Sequence, residues 1–326
     1  MENLLFKTNP LYENNFVYNE LQQKTLIASW LDLYSRGILL RDSYQYGFRT
    51  FSQTNEDGIL LYIFTIIGTT NKKVVEIGIN CNNSSTNIPE SIATNLISFH
   101  GWQGLIVDGD KSNTGQALHH FHLNRASSYY FFNAQKEQVN TGSSLFSPVI
   151  RNLFITPNNI NTILTNDGFD GEIDLLSVDI DSFDYHAIDS INVCQPRVLI
   201  IETDGGKIDY NTSVTVKKNL FDTQAVEFDN YNKRIIEYMV AGFSGTMSLA
   251  AAVNLARKKG YRLVTLSSGG WNAFFIRNDI GLNDFPEISI EEAYKAIPPV
   301  YSIKERGELW TFNDLESKFP GLFIKV

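Results

Sequence analysis

The sequence contains little cysteine, no long apolar run and no cluster of basic residues. Its two cysteines, Cys81 and Cys194, form neither a disulfide framework nor a zinc-ligand spacing, so they favour a reducing, cytoplasmic setting. The longest apolar stretch, residues 59–67, is too short to cross a bilayer, which takes about 20 residues. The first residues do not combine a basic region with a long apolar core, so we expect no signal peptide.

The charge balance argues against a nucleic-acid partner. Lysine and arginine number 27 against 36 acidic residues, which gives a net charge of −9. A long nucleic-acid footprint needs many cations that neutralise phosphates. Hydrophobic residues make up 43% of the 326 residues and charged residues 19%, which is typical of a globular chain that buries a core. The length suits one large α/β domain with extensions or two small domains.

Short apolar segments alternate with helix-like segments from residue 72 onward. The predicted strands are residues 74–77, 105–107, 127–132, 175–180, 198–202, 261–266 and 273–276. The predicted helices are residues 90–99, 113–123, 159–166, 184–191 and 245–259. This alternation indicates an α/β, doubly wound, mostly parallel sheet covered on both faces. The last two strands are joined by residues 267–271, which is too short for a parallel crossover, so the last strand is predicted to be antiparallel. Such an order is typical of a seven-stranded, Rossmann-like methyltransferase sheet.

Three regions are predicted along the chain. Residues 1–45 show near-helical apolar spacing and are predicted to form a helical N-terminal extension. Residues 46–280 hold the sheet, with residues 205–244 as an insertion that carries several aromatic residues. Long connections are usually functional, so we expect the insertion to be a lid over the acceptor. Residues 281–326 form a C-terminal extension, expected either to pack on the domain or to mediate contacts in a homo-oligomer.

The first candidate site follows the first two strands. Glu76 and Gly78 end the first strand and Asp108 ends the second. A glycine lets a ligand approach the main chain, and a carboxylate in the position of Asp108 can accept both hydroxyls of a ribose. The alternative is that Asp108 is a turn residue beside Gly109. The G-x-G-x-x-G pattern is absent, which argues against NAD and leaves another nucleotide-type cofactor.

The second candidate site is acidic. Asp179 and Asp181 follow the fourth predicted strand, and Glu202 and Asp204 follow the fifth. If these strands are neighbours, they lie about 4.8 Å apart and the four carboxylates converge. Such a cluster needs a divalent cation, a bound ammonium group or protonation, and an all-oxygen ligand set favours Mg or Mn. The alternative is that some of the carboxylates cap helices or bind the cofactor.

Histidines offer a further candidate. His186 follows the acidic cluster at a predicted helix start, which makes it a candidate general base; the alternative is a surface or supporting histidine. His119 and His122 share a helix face, but no neighbouring Glu or Cys completes a metal set. We therefore expect these two histidines to lie on an exposed helix.

A polar cluster that includes Gln53, Glu56 and Asp57 precedes a strongly apolar helix. Ser52 or Thr54 is predicted to cap that helix, which is expected to end at Gly68. The cluster is either a helix cap or a segment that closes over the cofactor.

Several of these stretches form an ordered set of motifs. They are Ser52-Gln53 with Glu56-Asp57-Gly58, then residues 75–78, 101–110, 174–185, 197–202, 259–264 and 272–277. As a set they resemble the FkbM-type family of S-adenosylmethionine-dependent methyltransferases, over about residues 50 to 280. The resemblance implies O-methylation of a sugar, glycan unit or other small hydroxylated metabolite, with S-adenosylmethionine as the donor.

The resemblance and the strand-end positions together give the predicted site residues. Those predicted to bind the cofactor are Gln53, Glu76, Gly78, Asn80, Asp108, Gly109, Asn133 and Asp179. Those predicted to be catalytic are Asp179, Asp181 and His186, and those predicted to hold a metal are Asp179, Asp181, Glu202 and Asp204.

Two other functions remain open. An RNA-end or nucleic-acid methyltransferase is opposed by the negative charge and by the absence of an Asn/Asp-Pro-Pro-Tyr/Phe motif. A non-catalytic module that retains the fold is supported by the asparagine-rich loop from Asn80 onward, which departs from the family pattern.

Overall fold

The computed structural model describes residues 10–81, 89–123, 147–181, 183–218, 237, 245–297 and 309–326. Its described strands, in chain order, are β1 (Lys73–Ile77), β2 (Gln103–Asp108), β3 (Val149–Asn152), β4 (Gly171–Val178), β5 (Cys194–Glu202), β6 (Val214–Val216), β7 (Tyr261–Leu266), β8 (Asn272–Arg277) and β9 (Phe323–Lys325). Its described helices are α1 (Pro10–Ser35), α2 (Ser43–Tyr46), α3 (Glu56–Ile67), α4 (Thr94–His100), α5 (Lys111–Leu123), α6 (Ile160–Asn166), α7 (Asp184–Ser190), α8 (Leu249–Lys258), α9 (Ile290–Lys295) and α10 (Phe312–Lys318).

Seven strands form one mixed sheet in the order β3-β2-β1-β4-β5-β8-β7. The first five are parallel, while β8 runs antiparallel to both of its neighbours, β5 and β7. The predicted doubly wound methyltransferase sheet with an antiparallel last strand is thereby confirmed. The order reverses between β1 and β4, and in open α/β sheets ligands bind at such a reversal, beyond the carboxyl ends of the strands.

Two apolar layers cover the sheet because successive strand residues point to opposite faces. On β1, Val75 and Ile77 pack in one layer with residues of α6, α7 and α8. Val74 packs in the other layer with residues of α1, α3, α4 and α5. Every strand that borders the cleft described below is therefore buried on both sides, which explains why these strands could be recognised as short apolar runs.

The third described strand, β3, was not predicted. The predicted strand at residues 127–132 lies outside the described residues, and the edge position beside β2 is occupied by β3. Only two of the four β3 residues are even partly buried, so this strand lacks the apolar pattern on which the prediction relied.

The start of the insertion and the C-terminal extension fold together. Strand β6 pairs with β9 in a separate antiparallel sheet, and a third apolar cluster joins residues of β6, β9, α10 and the segment just before α7. Residues 219–236 and 238–244 of the insertion lie outside the described residues, so its role as an acceptor lid stays a prediction. Within the described part of the chain, no helix has the length and apolar character needed to span a membrane.

A buried ion pair fixes the entry into β1. The carboxylate of Asp174 is completely buried and accepts hydrogen bonds from the backbone N–H groups of Thr70, Asn71 and Lys72 at 2.6–3.0 Å. Arg197 on β5 donates to the same carboxylate at 2.8 Å. Because three strands are linked through one carboxylate, the start of β1 is held in register with β4 and β5.

Candidate functional site

A cleft of about 690 Å³ lies where the parallel strands end and β8 begins. The carboxyl ends of β1, β2, β4 and β5 meet at this edge because those strands are parallel. The predicted site residues that line the cleft are Gln53, Glu76, Gly78, Asn80, Asp108, Gly109, Asp179, Asp181 and Glu202.

Gly78 is the tightest point of the cleft wall. It has φ +88°, and a Cβ there would overlap the carbonyl oxygen of Asp179. The N–H of Gly78 donates to Val107 at 2.9 Å, and the N–H of Asp179 donates to Ile77 at 2.8 Å. Glycine is therefore required here by the packing of β1 against β4, in addition to any ligand that approaches the main chain.

Glu76 holds one wall of the cleft in place. Its buried carboxylate accepts hydrogen bonds from the Ser91 hydroxyl at 2.5 Å and from the N–H groups of Ile92 and Ala93 at 2.7 and 3.2 Å. These residues lie just ahead of α4. Burial raises the pKa of Glu76 to about 7 despite the three donors. Glu76 thus positions the backbone ahead of α4, and its predicted role in cofactor binding stays a prediction.

Asp108 forms a turn and still has acceptor capacity. Its carboxylate accepts the N–H of Ile79 at 2.9 Å and the N–H of Asp110 at 2.6 Å. A carboxylate offers about four acceptor positions, so two remain for a ligand in the cleft that Asp108 lines. The turn and ribose interpretations are therefore compatible with each other.

Three carboxylates meet at the other end of the cleft. Asp179, Asp181 and Glu202 each offer an oxygen, and these oxygens all lie within 4.8 Å of one another. Burial, followed by repulsion from the neighbouring carboxylates, raises the pKa of Asp179 and of Glu202 well above the ordinary range. Among the described residues, no lysine or arginine forms an ion pair with any of the three. Within the described part of the chain, the negative charge of the cluster is therefore left to a ligand or to bound protons to offset.

Two buried acceptors in the same region lack donors. Within the described part of the chain, Oε2 of Glu202 and Oδ1 of Asn272 have no hydrogen-bond partner. Glu202 is 6% exposed and Asn272 is 3% exposed, and both side chains line the cleft. Leaving a buried acceptor unpaired costs about 1–3 kcal/mol, so both atoms fit a site that is completed by a bound ligand. Sequence reasoning did not assign Asn272, although it begins the strand that follows the 267–271 link.

Asp204 does not join the cluster. One of its oxygens accepts the N–H of Ile208 at 2.6 Å, and the other accepts the N–H of Leu249, at the start of α8, at 3.2 Å. Strand β5 ends at Glu202, so strand alternation no longer governs where the Asp204 side chain points. The prediction that Asp204 is a metal ligand is wrong, and its role is to hold the loop against α8.

His186 also lies outside the cleft lining. Its Nε2 is 2.7 Å from the carbonyl oxygen of Val216 on β6, and its ring packs against Phe183 and Tyr185. Asp184 lies on the side of α7 that faces the cleft, since it accepts the N–H of Ile180 there at 2.7 Å. His186 follows two positions later and is rotated by about 200° around the helix axis, so it faces away from the cleft. The prediction of His186 as general base is therefore wrong.

His119 and His122 are exposed on α5, as expected. Asn133 lies outside the described residues, so its predicted cofactor role stays a prediction.

The polar cluster ahead of α3 supports the rim of the cleft. Oδ2 of Asp57 accepts the N–H groups of Thr50, Phe51 and Ser52 at 2.7–2.9 Å, which folds the chain before Gln53 against the helix. Burial raises the pKa of Asp57 to about 6. The helix ends before Gly68 as predicted, but its N-cap is Asn55, without a side-chain cap hydrogen bond. Ser52 nevertheless supplies part of the predicted cap, because its hydroxyl accepts the N–H of Asp57 in the first turn of the helix at 3.2 Å.

Comparison with known proteins gives one family match. The model of the family described as "Methyltransferase FkbM domain" matches residues 64–263, which is more than half of the chain. No curated protein matches the sequence significantly.

Solved structures of low identity are also similar. An O-methyltransferase from Bacillus cereus in complex with SAH shares 12% identity at a TM-score of 0.34, over 77% of this chain and 89% of that one. A putative sarcosine dimethylglycine methyltransferase from Galdieria sulphuraria shares 12% identity at a TM-score of 0.34, over 64% of this chain. This chain spans 62% of the length of the Galdieria protein, which is less than two thirds.

Proposed function

The chain belongs to the FkbM methyltransferase family, and from that premise we propose that it methylates a hydroxyl of a small molecule, a sugar or glycan unit, at the acidic end of its cleft. Methyl transfer from S-adenosylmethionine is the activity of the family. The observation that carries it is the group of Asp179, Asp181 and Glu202 oxygens within 4.8 Å of one another, in the same cleft as Asp108.

Strand spacing supports separate places for donor and acceptor. From β2, which bears Asp108, to β5, which bears Glu202, the order is β2-β1-β4-β5. Three spacings of about 4.8 Å put these strands about 14 Å apart. Asp108 would accept the ribose hydroxyls, and the segment from Gly78 to Asn80 would line the methionine part. The acceptor would then lie over β4 and β5.

The protein's chemical task at this site is modest. The sulfonium of S-adenosylmethionine supplies an already activated methyl group, so the protein has to orient the acceptor oxygen and remove its proton. Asp179 and Glu202, whose pKa values are raised by burial and mutual repulsion, are stronger bases than free carboxylates. In the metal-free site they would be the groups placed to take the proton of the acceptor hydroxyl.

The donor set fits a divalent cation. Three carboxylates without a described cationic partner, together with an unpaired oxygen on Glu202, form a hard, all-oxygen site of the kind that suits Mg or Mn. Asp179, Asp181 and Glu202 would hold the ion, which would offset their charge and acidify a nearby hydroxyl.

A polyhydroxylated acceptor suits this chemistry. Carboxylate and amide oxygens accept hydrogen bonds from hydroxyl groups, and the acceptor end of the cleft offers the unpaired Oε2 of Glu202 and Oδ1 of Asn272. Of the aromatic residues in the 205–244 insertion, Tyr210 stacks on Tyr294 with ring centroids 5.2 Å apart. Among the described residues, the aromatic side chain that lines the cleft is Phe154.

The test uses the full chain. Isothermal titration with S-adenosylhomocysteine should show binding, and labelled S-adenosylmethionine should transfer its methyl group to some member of a panel of sugars, nucleotide sugars and glycosides. The chelator EDTA should reduce that transfer, and Mg or Mn should restore it. An absence of cofactor binding up to millimolar concentration would sink the enzyme proposal. Labelling of RNA alone would refute the glycan acceptor, and full activity in the chelator would refute the metal.

A further inference from the structure

Asn272 sits at the acceptor end of the cleft with half of its amide group unsatisfied. It is the first residue of β8, is 3% exposed and lines the cleft. Its Nδ2 donates to Oε1 of Glu56 at 3.1 Å, whereas its Oδ1 has no partner among the described residues. A side chain this deeply buried rarely leaves a strong acceptor unpaired, which indicates that something other than the described residues satisfies Oδ1.

The strand register puts Asn272 beside Glu202. The two residues are directly opposite each other in the antiparallel pair of β5 and β8. The N–H of Thr203 donates to the carbonyl of Trp271 at 2.8 Å, so the next pair, Glu202 with Asn272, is of the non-hydrogen-bonded type. In such pairs the Cβ atoms lie about 4.5–5.5 Å apart on the same face of the sheet. The two unpaired oxygens therefore belong to adjacent side chains.

We propose that Oδ1 of Asn272 is a fourth protein ligand of the divalent cation, alongside Asp179, Asp181 and Glu202. The inference rests on the metal site proposed above. Amide oxygens are ordinary ligands of hard cations, and a neutral ligand adds no repulsion to three carboxylates. Asn272 supplies the fourth oxygen that sequence reasoning wrongly assigned to Asp204.

Glu56 is the positioning residue for this ligand. Glu56 is completely buried, and its own carboxylate accepts the N–H and hydroxyl of Thr54 at 2.7 and 2.8 Å. Because the Glu56 carboxylate can only accept, it selects the amide orientation in which Nδ2 faces Glu56 and Oδ1 faces away. A carboxylate behind a metal ligand commonly fixes the orientation of that ligand.

A proton shared within the site is the competing explanation. If Glu202 is protonated, its O–H can donate to Oδ1 of Asn272 without any metal, since burial and charge repulsion raise the pKa of Glu202. The two explanations differ in whether Asn272 contributes to cation affinity.

The test is Mn²⁺ binding to the full chain, followed by electron paramagnetic resonance of the free ion. We expect N272A to weaken Mn²⁺ binding by about tenfold and E56Q by a comparable factor. N272D, which adds a negative charge, should instead bind Mn²⁺ at least as tightly as the wild type. The matched control is N254A, since Asn254 is exposed on α8 and bonds only to Ser213 at 3.0 Å among the described contacts.

The outcomes separate the two levels of the proposal. If the wild type does not bind Mn²⁺, the metal site itself fails. If the wild type binds and D179N loses binding while N272A matches N254A, the cation is real and the role of Asn272 is refuted. Thermal unfolding of each variant shows whether it is folded. If N272A is not folded, the test rests on N272D, and an Mn²⁺ affinity of N272D below that of the wild type overturns the proposal.

Discussion

The ribose-binding role of Asp108 gives the sharpest prediction for the cofactor end of the cleft. In D108N, one carboxylate oxygen becomes an NH₂ group, which cannot accept a hydrogen bond. Each oxygen already accepts one backbone N–H, Oδ2 from Ile79 at 2.9 Å and Oδ1 from Asp110 at 2.6 Å, so the change removes one bond of the turn together with an acceptor position left for the ligand. A hydrogen bond to a charged group is worth about 1.5–3 kcal/mol, which corresponds to about 10- to 150-fold weaker binding of S-adenosylhomocysteine.

Isothermal titration measures that ratio directly. The control is D189N, which removes the same charge from an exposed residue that pairs with Lys258 at 3.0 Å; its affinity should match the wild type. Thermal unfolding checks that D108N keeps its fold. If folded D108N binds S-adenosylhomocysteine within twofold of the wild type, Asp108 is a turn residue only and the ribose assignment is wrong.

Three further predictions concern residues whose roles the structure redefines. D174N removes the charge that pairs with buried Arg197 at 2.8 Å, so urea unfolding should show a loss of about 3–5 kcal/mol, against at most about 1 kcal/mol for the exposed pair in D189N. Burial raises the pKa of Glu76 from 4.5 to about 7, so the stabilisation that its protonated form provides is complete below pH 4.5 and is lost as the pH rises to 7. In E76Q, the free energy of unfolding measured in urea should therefore vary less with pH over this range. An unchanged dependence on pH would contradict the assignment. H186N should unfold more easily, since it loses the contact with Val216 at 2.7 Å. Its affinities for Mn²⁺ and S-adenosylhomocysteine should equal those of the wild type. If the rate of methyl transfer depends on a titrating group in the wild type and no longer does so in H186N, the general-base role would be restored.

The sheet could be predicted because its strands carry their own signal. Strands β1, β2, β4 and β5 are buried on both faces and appear in the sequence as short apolar runs. The antiparallel last strand followed from the length of the 267–271 link alone. By contrast, β6 and β9 have three residues each, and a segment that short has no periodicity to detect.

The errors at the site arise where regular structure ends. Strand alternation placed Glu202 correctly, but β5 stops there, and the backbone N–H of Asp204 bonds to Met247 instead of continuing the sheet. Asp181 also lies beyond its strand, at φ +57°, yet this turn brings its carboxylate into the cluster. Asp181 and Asp204 each follow a carboxylate of the cluster by two residues, yet only Asp181 joins the cluster. The difference comes from backbone angles and hydrogen-bond partners that a pattern of residue types does not encode. Asn272 was missed for a related reason, since its pairing with Glu202 depends on the register between β5 and β8.

Gly78 connects the two halves of the site. The sequence suggested that this glycine makes room for a ligand, whereas the structure shows it pressed against the backbone of Asp179, whose side chain belongs to the acidic cluster. The distance between the cofactor corner and the acidic cluster is therefore fixed by main-chain contact between β1 and β4, not by flexible side chains. In-line transfer depends on holding the methyl donor and the acceptor oxygen in a fixed relation, since misplacement by about 1 Å can cost about 100-fold in rate. A rigid main-chain junction between the two proposed binding regions is the kind of support that the proposed reaction requires.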